Sequence, residues 1–134
     1  MKKNNKSNLY LNRIISYLII ALSGFFFFIL LISIFSYINI KNPIFDNYEL
    51  YIELASVAIA SALTGIISCR IKNKAIINGS VAGLFLSVYI ILIITLISGF
   101  DFNLKELIIS GICIFISTCS AVIKCNFMKN KRRK

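Results

Sequence analysis

The stretch CRIKNKAIINGSVAG, residues 69–83, interrupts a chain that is otherwise almost continuously apolar. It places three basic residues within five positions and follows them with two glycines spaced four apart. This order does not match a phosphate-binding P-loop, in which a G-x-x-x-x-G-K-[ST] motif opens a helix. A short basic segment between two apolar runs is instead typical of the turn of a transmembrane helical hairpin. The stretch therefore indicates a membrane protein.

The composition supports this interpretation. The chain has 134 residues, of which 58% are hydrophobic, whereas soluble domains contain roughly 45–50% apolar residues. Its net charge is +10, yet charged residues make up only 15% of the chain, too few for the polar surface of a basic nucleic-acid-binding domain. It has no histidine and five acidic residues, so we expect neither an enzyme nor a metal or other cofactor, and no nucleic-acid partner.

Four apolar runs are each long enough, or nearly so, to cross a bilayer. They cover residues 14–38, 50–69, 75–97 and 107–123. The first exceeds the 7–15-residue apolar core of a cleaved signal peptide and has no small-residue cleavage site after it. The sequence therefore predicts an all-α, integral-membrane four-helix bundle that forms a single transmembrane domain over residues 1–134.

Lysine and arginine are distributed unevenly around these spans. Four precede the first span, three lie between the second and third, and six follow the fourth, so thirteen of the fifteen share one side. The positive-inside rule then places the termini, residues 1–13 and 124–134, in the cytoplasm, and makes Arg70, Lys72 and Lys74 topology determinants. We expect a multi-pass plasma-membrane protein whose basic segments contact anionic lipids of the inner leaflet.

Small residues line one face of the third span and part of the second. Gly79, Gly83 and Ser87 repeat at intervals of four, and Ser61 and Gly65 do so in the second span. Such small-xxx-small faces let helix backbones approach closely in membranes. We interpret these five residues as helix-packing residues, with a solute path lined by the hydroxyls as the alternative. Small side chains occur on most sides of the second span, which is therefore expected at the centre of the bundle.

Glu53 is the only ionisable residue within a predicted span. An ionisable residue inside a membrane is by default a functional candidate. Because Glu53 lies near the acidic outer end of its span, it is either a solvated interfacial carboxylate or a group that handles a proton or cation.

The four cysteines show no C-x-x-C spacing. Cys69 and Cys125 flank spans at the predicted cytoplasmic face, where the environment is reducing, so no structural disulfide is expected. Cys113 and Cys119 lie within the fourth span, and we interpret all four as small apolar thiols.

Several of these residues together resemble a known family. Gly65, the basic turn RIKNK, Gly79, Gly83 and Tyr89 resemble the pattern of the YrzE-like family of small four-span bacterial membrane proteins, a domain of unknown function. The resemblance covers nearly the whole chain. It implies a plasma-membrane protein of spore-forming bacteria or their relatives, and it carries over no activity and no catalytic residue.

These observations favour a non-enzymatic membrane protein that acts by helix packing with itself or with a membrane partner. A small transporter or channel is one alternative, although exporters built as dual-topology dimers have a weak Lys/Arg bias and a polar residue deep in the membrane. A holin-like pore former is another, because holins are also small and carry a basic tail.

Overall fold

A computed structural model describes residues 3–41, 48–71, 74–98 and 104–131 of the chain. These residues form four α-helices, and no strand occurs among them. The helices, numbered in chain order, are α1 (Lys3–Lys41), α2 (Glu49–Ser68), α3 (Ala75–Ser98) and α4 (Leu104–Lys131). The prediction of an all-α fold is confirmed.

All four helices are long and apolar enough to cross a membrane. Their candidate spans contain 31, 19, 22 and 25 residues. At about 1.5 Å per residue, even the shortest, Leu50–Ser68, matches the roughly 30 Å hydrocarbon core of a bilayer. The molecule therefore has the architecture of a multi-pass membrane protein, as the four apolar runs predicted.

The fourth helix is longer than its apolar run. It begins at Leu104 rather than Leu107 and continues to Lys131 rather than ending at Ile123. Lys105 and Glu106 interrupt the apolar pattern, but Lys and Glu are good helix formers and continue the backbone regularly. The fourth span is thus long enough to cross the hydrocarbon core without local thinning of the bilayer.

The basic stretch from the middle of the chain forms the turn between α2 and α3. The backbone N–H of Arg70 donates to the carbonyl oxygen of Ile67 at 3.1 Å, which closes the end of α2. Arg70 and Lys74 are exposed, and Lys72 lies outside the described residues. The turn is short, so it joins two antiparallel neighbours as a helical hairpin requires.

The helices do not contribute equally to the bundle. Both α2 and α3 contact all three other helices, whereas α1 and α4 have no contact with each other in the described part of the chain. The second helix, expected at the centre, therefore shares that position with α3. Because Gly65 of α2 lies against Ser117 of α4 and Cys69 against Cys125, α2 and α4 run parallel.

Small side chains fill much of the interior. Ala21, Ala60 and Ala82 are fully buried beside a few aliphatic residues such as Leu86 and Ile90, while many large aliphatic and aromatic side chains face outward. Lipid tails are as apolar as leucine, so burial of apolar surface does not drive these helices together. Close backbone approach and van der Waals packing take that role, and the glycines mark where the approach is closest.

Candidate functional site

One close helix contact is the α3–α4 seam, our name for the contact formed by Gly79, Gly83, Cys113, Ser117 and Thr118. A Cβ atom at Gly79 would lie 2.6 Å from the Cα of Thr118, and one at Gly83 would lie 2.8 Å from the carbonyl oxygen of Cys113. Both distances are too short for any real side chain. The Ser117 hydroxyl also donates a hydrogen bond to the Gly79 carbonyl oxygen at 2.9 Å. The two backbones are therefore in direct contact.

The second helix meets α4 at the same point. A Cβ atom at Gly65 would overlap the carbonyl oxygen of Ser117, so Ser117 is approached from α2 and from α3. The sequence singled out Gly65, Gly79 and Gly83, and the structure places all three against α4. Ser117 was missed, although the run of small residues at 117–121, STCSA, was a signal for it.

Buried hydroxyls bond mostly within their own helices. Ser61 donates to the carbonyl oxygen of Ala58 at 2.9 Å, and Ser87 donates to that of Leu84 at 2.8 Å. Ser61 and Ser87 are both buried. Their hydroxyl protons are engaged by the backbone, as is common for Ser and Thr within helices, which favours packing over a solute path lined by these groups.

A polar network closes the end of the bundle near the basic turn. The Tyr17 hydroxyl of α1 donates to the Asn78 side-chain oxygen at 2.7 Å. The Asn78 amide then donates to the carbonyl oxygen of Ile71 at 2.9 Å. Because Asn78 is fully buried, these bonds satisfy groups that water cannot reach, and they join α1, α3 and the turn.

Two carboxylates lie near the opposite end of the bundle. Glu53 is half-buried one turn into α2, as an interfacial position allows. Glu106 is only 3% exposed, and its Oε2 has no hydrogen-bond partner among the described residues. The apolar pattern predicted a loop at Glu106, and this was wrong because α4 begins at Leu104 and carries Glu106 in its first turn. That Glu53 is the only ionisable candidate within the membrane stays a prediction.

The structure corrects the prediction that the cysteines are unpaired. Cys69 and Cys125 form a disulfide, with their Cα atoms 5.8 Å apart. The parallel α2 and α4 bring their ends together, a neighbourhood that sequence spacing does not reveal. Cys113 and Cys119 are free thiols, the first buried and the second exposed.

The described residues contain no cluster of metal-binding side chains. Within them, no group of three or more His, Cys, Asp or Glu side chains lies close enough together to hold a metal ion. The features that stand out are therefore the glycine contacts, the buried Glu106 and the cysteine pair.

Comparisons with known proteins add no family assignment. No protein-family model matches the chain, and searches of curated proteins and of solved structures found no significant match. The resemblance to the YrzE-like family stays a prediction from the sequence. Tyr89, one of the residues that carry this resemblance, packs against Phe25 with the ring centroids 5.8 Å apart.

Proposed function

We propose that this chain is a non-enzymatic, multi-pass protein of a bacterial plasma membrane, that both of its termini are cytoplasmic, and that it acts by helix packing with a second copy or another membrane protein. The proposal includes membership of the YrzE-like family. The observation that carries it is Gly111 of α4, which is exposed and has no atom of the described residues within 4 Å of the position that its Cβ would take.

Gly111 differs from the other glycines that the structure describes. Gly24, Gly65, Gly79 and Gly83 each lie against another helix of the chain. A glycine inside a helix costs about 1 kcal/mol relative to alanine, and at those four positions close packing offsets that cost. Gly111 has no such contact with the residues that the structure describes, and a hollow of this kind fits a helix from another chain.

The surface around Gly111 suits a partner within the membrane. Leu107 and Phe115 lie one turn to either side on the same face and are 65% and 71% exposed. A glycine between two large apolar side chains gives a helix surface both a hollow and two projections. Complementary helices associate in membranes through such shapes. We call this surface, formed by Leu107, Gly111 and Phe115, the Gly111 face.

In-membrane crosslinking tests the proposal. A photoreactive amino acid replaces Phe115 on the Gly111 face or, as the control, Ile19 of α1, which is similarly exposed at 61%. We expect a crosslinked species from position 115 and much less from position 19. A band of twice the chain mass identifies a second copy, and any other mass identifies a partner by mass spectrometry. Equal yields at the two positions, or no product at either, would refute the proposal.

Orientation is tested separately with reporter fusions. The exposed Arg70 and Lys74 and the basic tail support a cytoplasmic turn, where each basic residue gains about 1 kcal/mol from anionic lipids. A reporter that works only in the cytoplasm should be active when fused at residue 72 or at the C-terminus. A reporter that works only outside the cell should be inactive at both positions. Activity outside the cell at either position would refute the orientation.

One observation favours a second function, the movement of a proton or small cation. A buried carboxyl oxygen that has no hydrogen-bond partner in the described part of the chain, such as Oε2 of Glu106, is costly and is often functional in membranes. Ion flux into proteoliposomes should then fall in Glu106→Gln and persist in Glu53→Gln, whose side chain is half-buried. Absence of flux in the unaltered protein removes this candidate. Lysis on induced overexpression would instead favour the holin-like alternative.

A further inference from the structure

Two cysteines far apart in sequence meet at the end of the bundle that carries the basic turn. Cys69 follows α2 and Cys125 lies on α4, separated by 56 positions along the chain and by 5.8 Å between Cα atoms. That Cα separation lies within the usual range for a disulfide. Both side chains are half-buried rather than enclosed, so a small reagent can reach them.

The same site also accommodates the reduced form. The Cys69 sulfur lies 2.9 Å from the carbonyl oxygen of Ala121 on α4. On reduction the two sulfurs must move apart, and a Cys69 thiol that remains near this oxygen can donate its proton to it, whereas the disulfide has no proton to donate. Reduction therefore replaces a covalent bond between α2 and α4 with a weaker contact between the same two helices.

The charge around the pair selects a class of reagent. Arg70 adjoins Cys69, Lys124 adjoins Cys125, and Lys74 follows in the turn, and all three are exposed. The five acidic residues of the chain, at positions 46, 49, 53, 101 and 106, lie neither in the basic turn nor near Cys125 in the sequence. A positive surface raises the local concentration of anionic reagents. Low-molecular-weight disulfides that bear carboxylates, such as glutathione disulfide, have this property.

We infer that Cys69 and Cys125 form a reversible redox pair that exchanges with an anionic low-molecular-weight disulfide and thereby locks or releases the contact between α2 and α4. One protein thiolate attacks the small disulfide, forms a mixed disulfide and expels one small thiolate. The second protein thiolate attacks the protein sulfur of that mixed disulfide and expels the other small thiolate. Two electrons pass to the small disulfide, and two protons leave the protein thiols to protonate the released thiolates.

The direction of the switch rests on the proposed orientation. Cytoplasmic thiols are kept reduced, so with the basic turn inside the cell the resting state is the dithiol. Oxidation then joins two helices that also meet at the Gly65–Ser117 contact. The exchange itself does not depend on orientation, which makes the two claims separable.

The first test uses the purified full chain equilibrated in buffers of reduced and oxidised glutathione. Free thiols are counted by the gel shift that a maleimide polymer causes, and intact mass separates an internal disulfide from a glutathione adduct. The unaltered protein should change from four free thiols to two as the buffer becomes oxidising. Cys119→Ser is the matched control, since it removes an exposed α4 thiol outside the pair and should also lose two thiols.

The variants Cys69→Ser and Cys125→Ser should form no internal disulfide in any of these buffers. The inference fails if the unaltered protein keeps four free thiols throughout, or if either variant still forms an internal disulfide. It also fails if Cys119→Ser abolishes the change. Serine is close to cysteine in size, and the retained thiol count in reducing buffer verifies that each variant is intact.

A second test follows the pair in growing cells quenched with acid before alkylation. We expect four free thiols at rest, two after a pulse of the oxidant diamide, and four again as the cells recover. A pair that remains oxidised throughout growth would refute reversibility. If reporter fusions placed the turn outside the cell while exchange in glutathione buffers persisted, the orientation would be wrong and the redox pair would stand.

Discussion

Two faces of α4 each adjoin or contain a glycine, but they differ in their surroundings. On one face, the α3–α4 seam, Gly83 of α3 lies against the α4 backbone with no space for even a methyl group. On the other face, Gly111 sits between the exposed Leu107 and Phe115 with open space above it. A glycine occurs at both faces, so its presence alone does not separate them. The difference lies in whether a neighbouring backbone is present.

This comparison shows how a glycine is to be interpreted in a membrane helix. At the seam a larger side chain collides within the chain itself, so the glycine determines folding. On the Gly111 face a larger side chain meets none of the described residues, so no close contact among them requires a glycine here. If the protein functions by association, a glycine such as Gly111 matters only when a partner binds.

The largest expected effect is that of Gly83→Leu. The new side chain would overlap backbone atoms of Cys113 and Ile114, which lie 2.8 and 2.9 Å from its Cβ and cannot rotate away. We expect a loss of about 3 kcal/mol or more in the free energy of unfolding, at the upper end of overpacking costs. Unfolding with increasing SDS in mixed micelles measures this loss.

Gly111→Leu is the matched control, because it introduces the same side chain on an open face. We expect its free energy of unfolding to match the unaltered protein or to exceed it by up to about 1 kcal/mol, since leucine favours helix more than glycine does. The crosslink from position 115 should nevertheless be lost. Equal destabilisation by Gly83→Leu and Gly111→Leu would contradict the distinction between the two faces.

A second, smaller effect is expected from Asn78→Ala, near the end of the seam that adjoins the basic turn. The change removes the hydrogen bonds that Asn78 makes with the Tyr17 hydroxyl and the Ile71 carbonyl oxygen. We expect a loss of about 1–3 kcal/mol, because two hydrogen bonds of a buried network are removed. The measurement is the same unfolding experiment, with Asn126→Ala as the control on an exposed part of α4. A loss as large in the control would show that the network is not responsible.

Much of this fold follows from the sequence, and the exceptions have physical causes. The apolar runs 50–69 and 75–97 match α2 (Glu49–Ser68) and α3 (Ala75–Ser98) within a residue at each end, because a span must be apolar throughout. The apolar pattern misplaces the start of α4, since Lys105 and Glu106 break that pattern without breaking the helix. It consequently assigns Glu106 to a loop.

The contacts between helices were harder to predict than the helices themselves. The spacing of Gly79 and Gly83 identifies a face of α3 but does not say which helix covers it, and the structure places α4 there. The Cys69–Cys125 pair depends on the axial register of two parallel helices, a property of the assembled bundle. Neither periodicity nor composition contains that information.

A third effect tests whether hydrogen bonding contributes to the seam beyond close packing. The Ser117 hydroxyl donates across the interface to Gly79, whereas the exposed Ser33 hydroxyl donates to Ile29 within its own helix at 2.8 Å. We expect Ser117→Ala to cost about 0.6 kcal/mol, the average for interhelical hydrogen bonds in membranes. Ser33→Ala should cost less than half of that in the same unfolding experiment. Equal costs would show that packing alone holds the seam.

The smallest effect on the fold is expected from the double change Arg70→Gln and Lys74→Gln. Both side chains are exposed in the turn and take no part in the seam or the Gly111 face, so the free energy of unfolding should change by less than about 0.5 kcal/mol. Orientation should also persist, because eleven of the thirteen basic residues on that side remain and the rule depends on their overall excess. Retention of anionic lipid on purification should fall, since each residue contributes about 1 kcal/mol to that attraction. If reporter fusions instead showed an inverted protein, the turn would determine orientation by itself, and the basic tail would have no share in it.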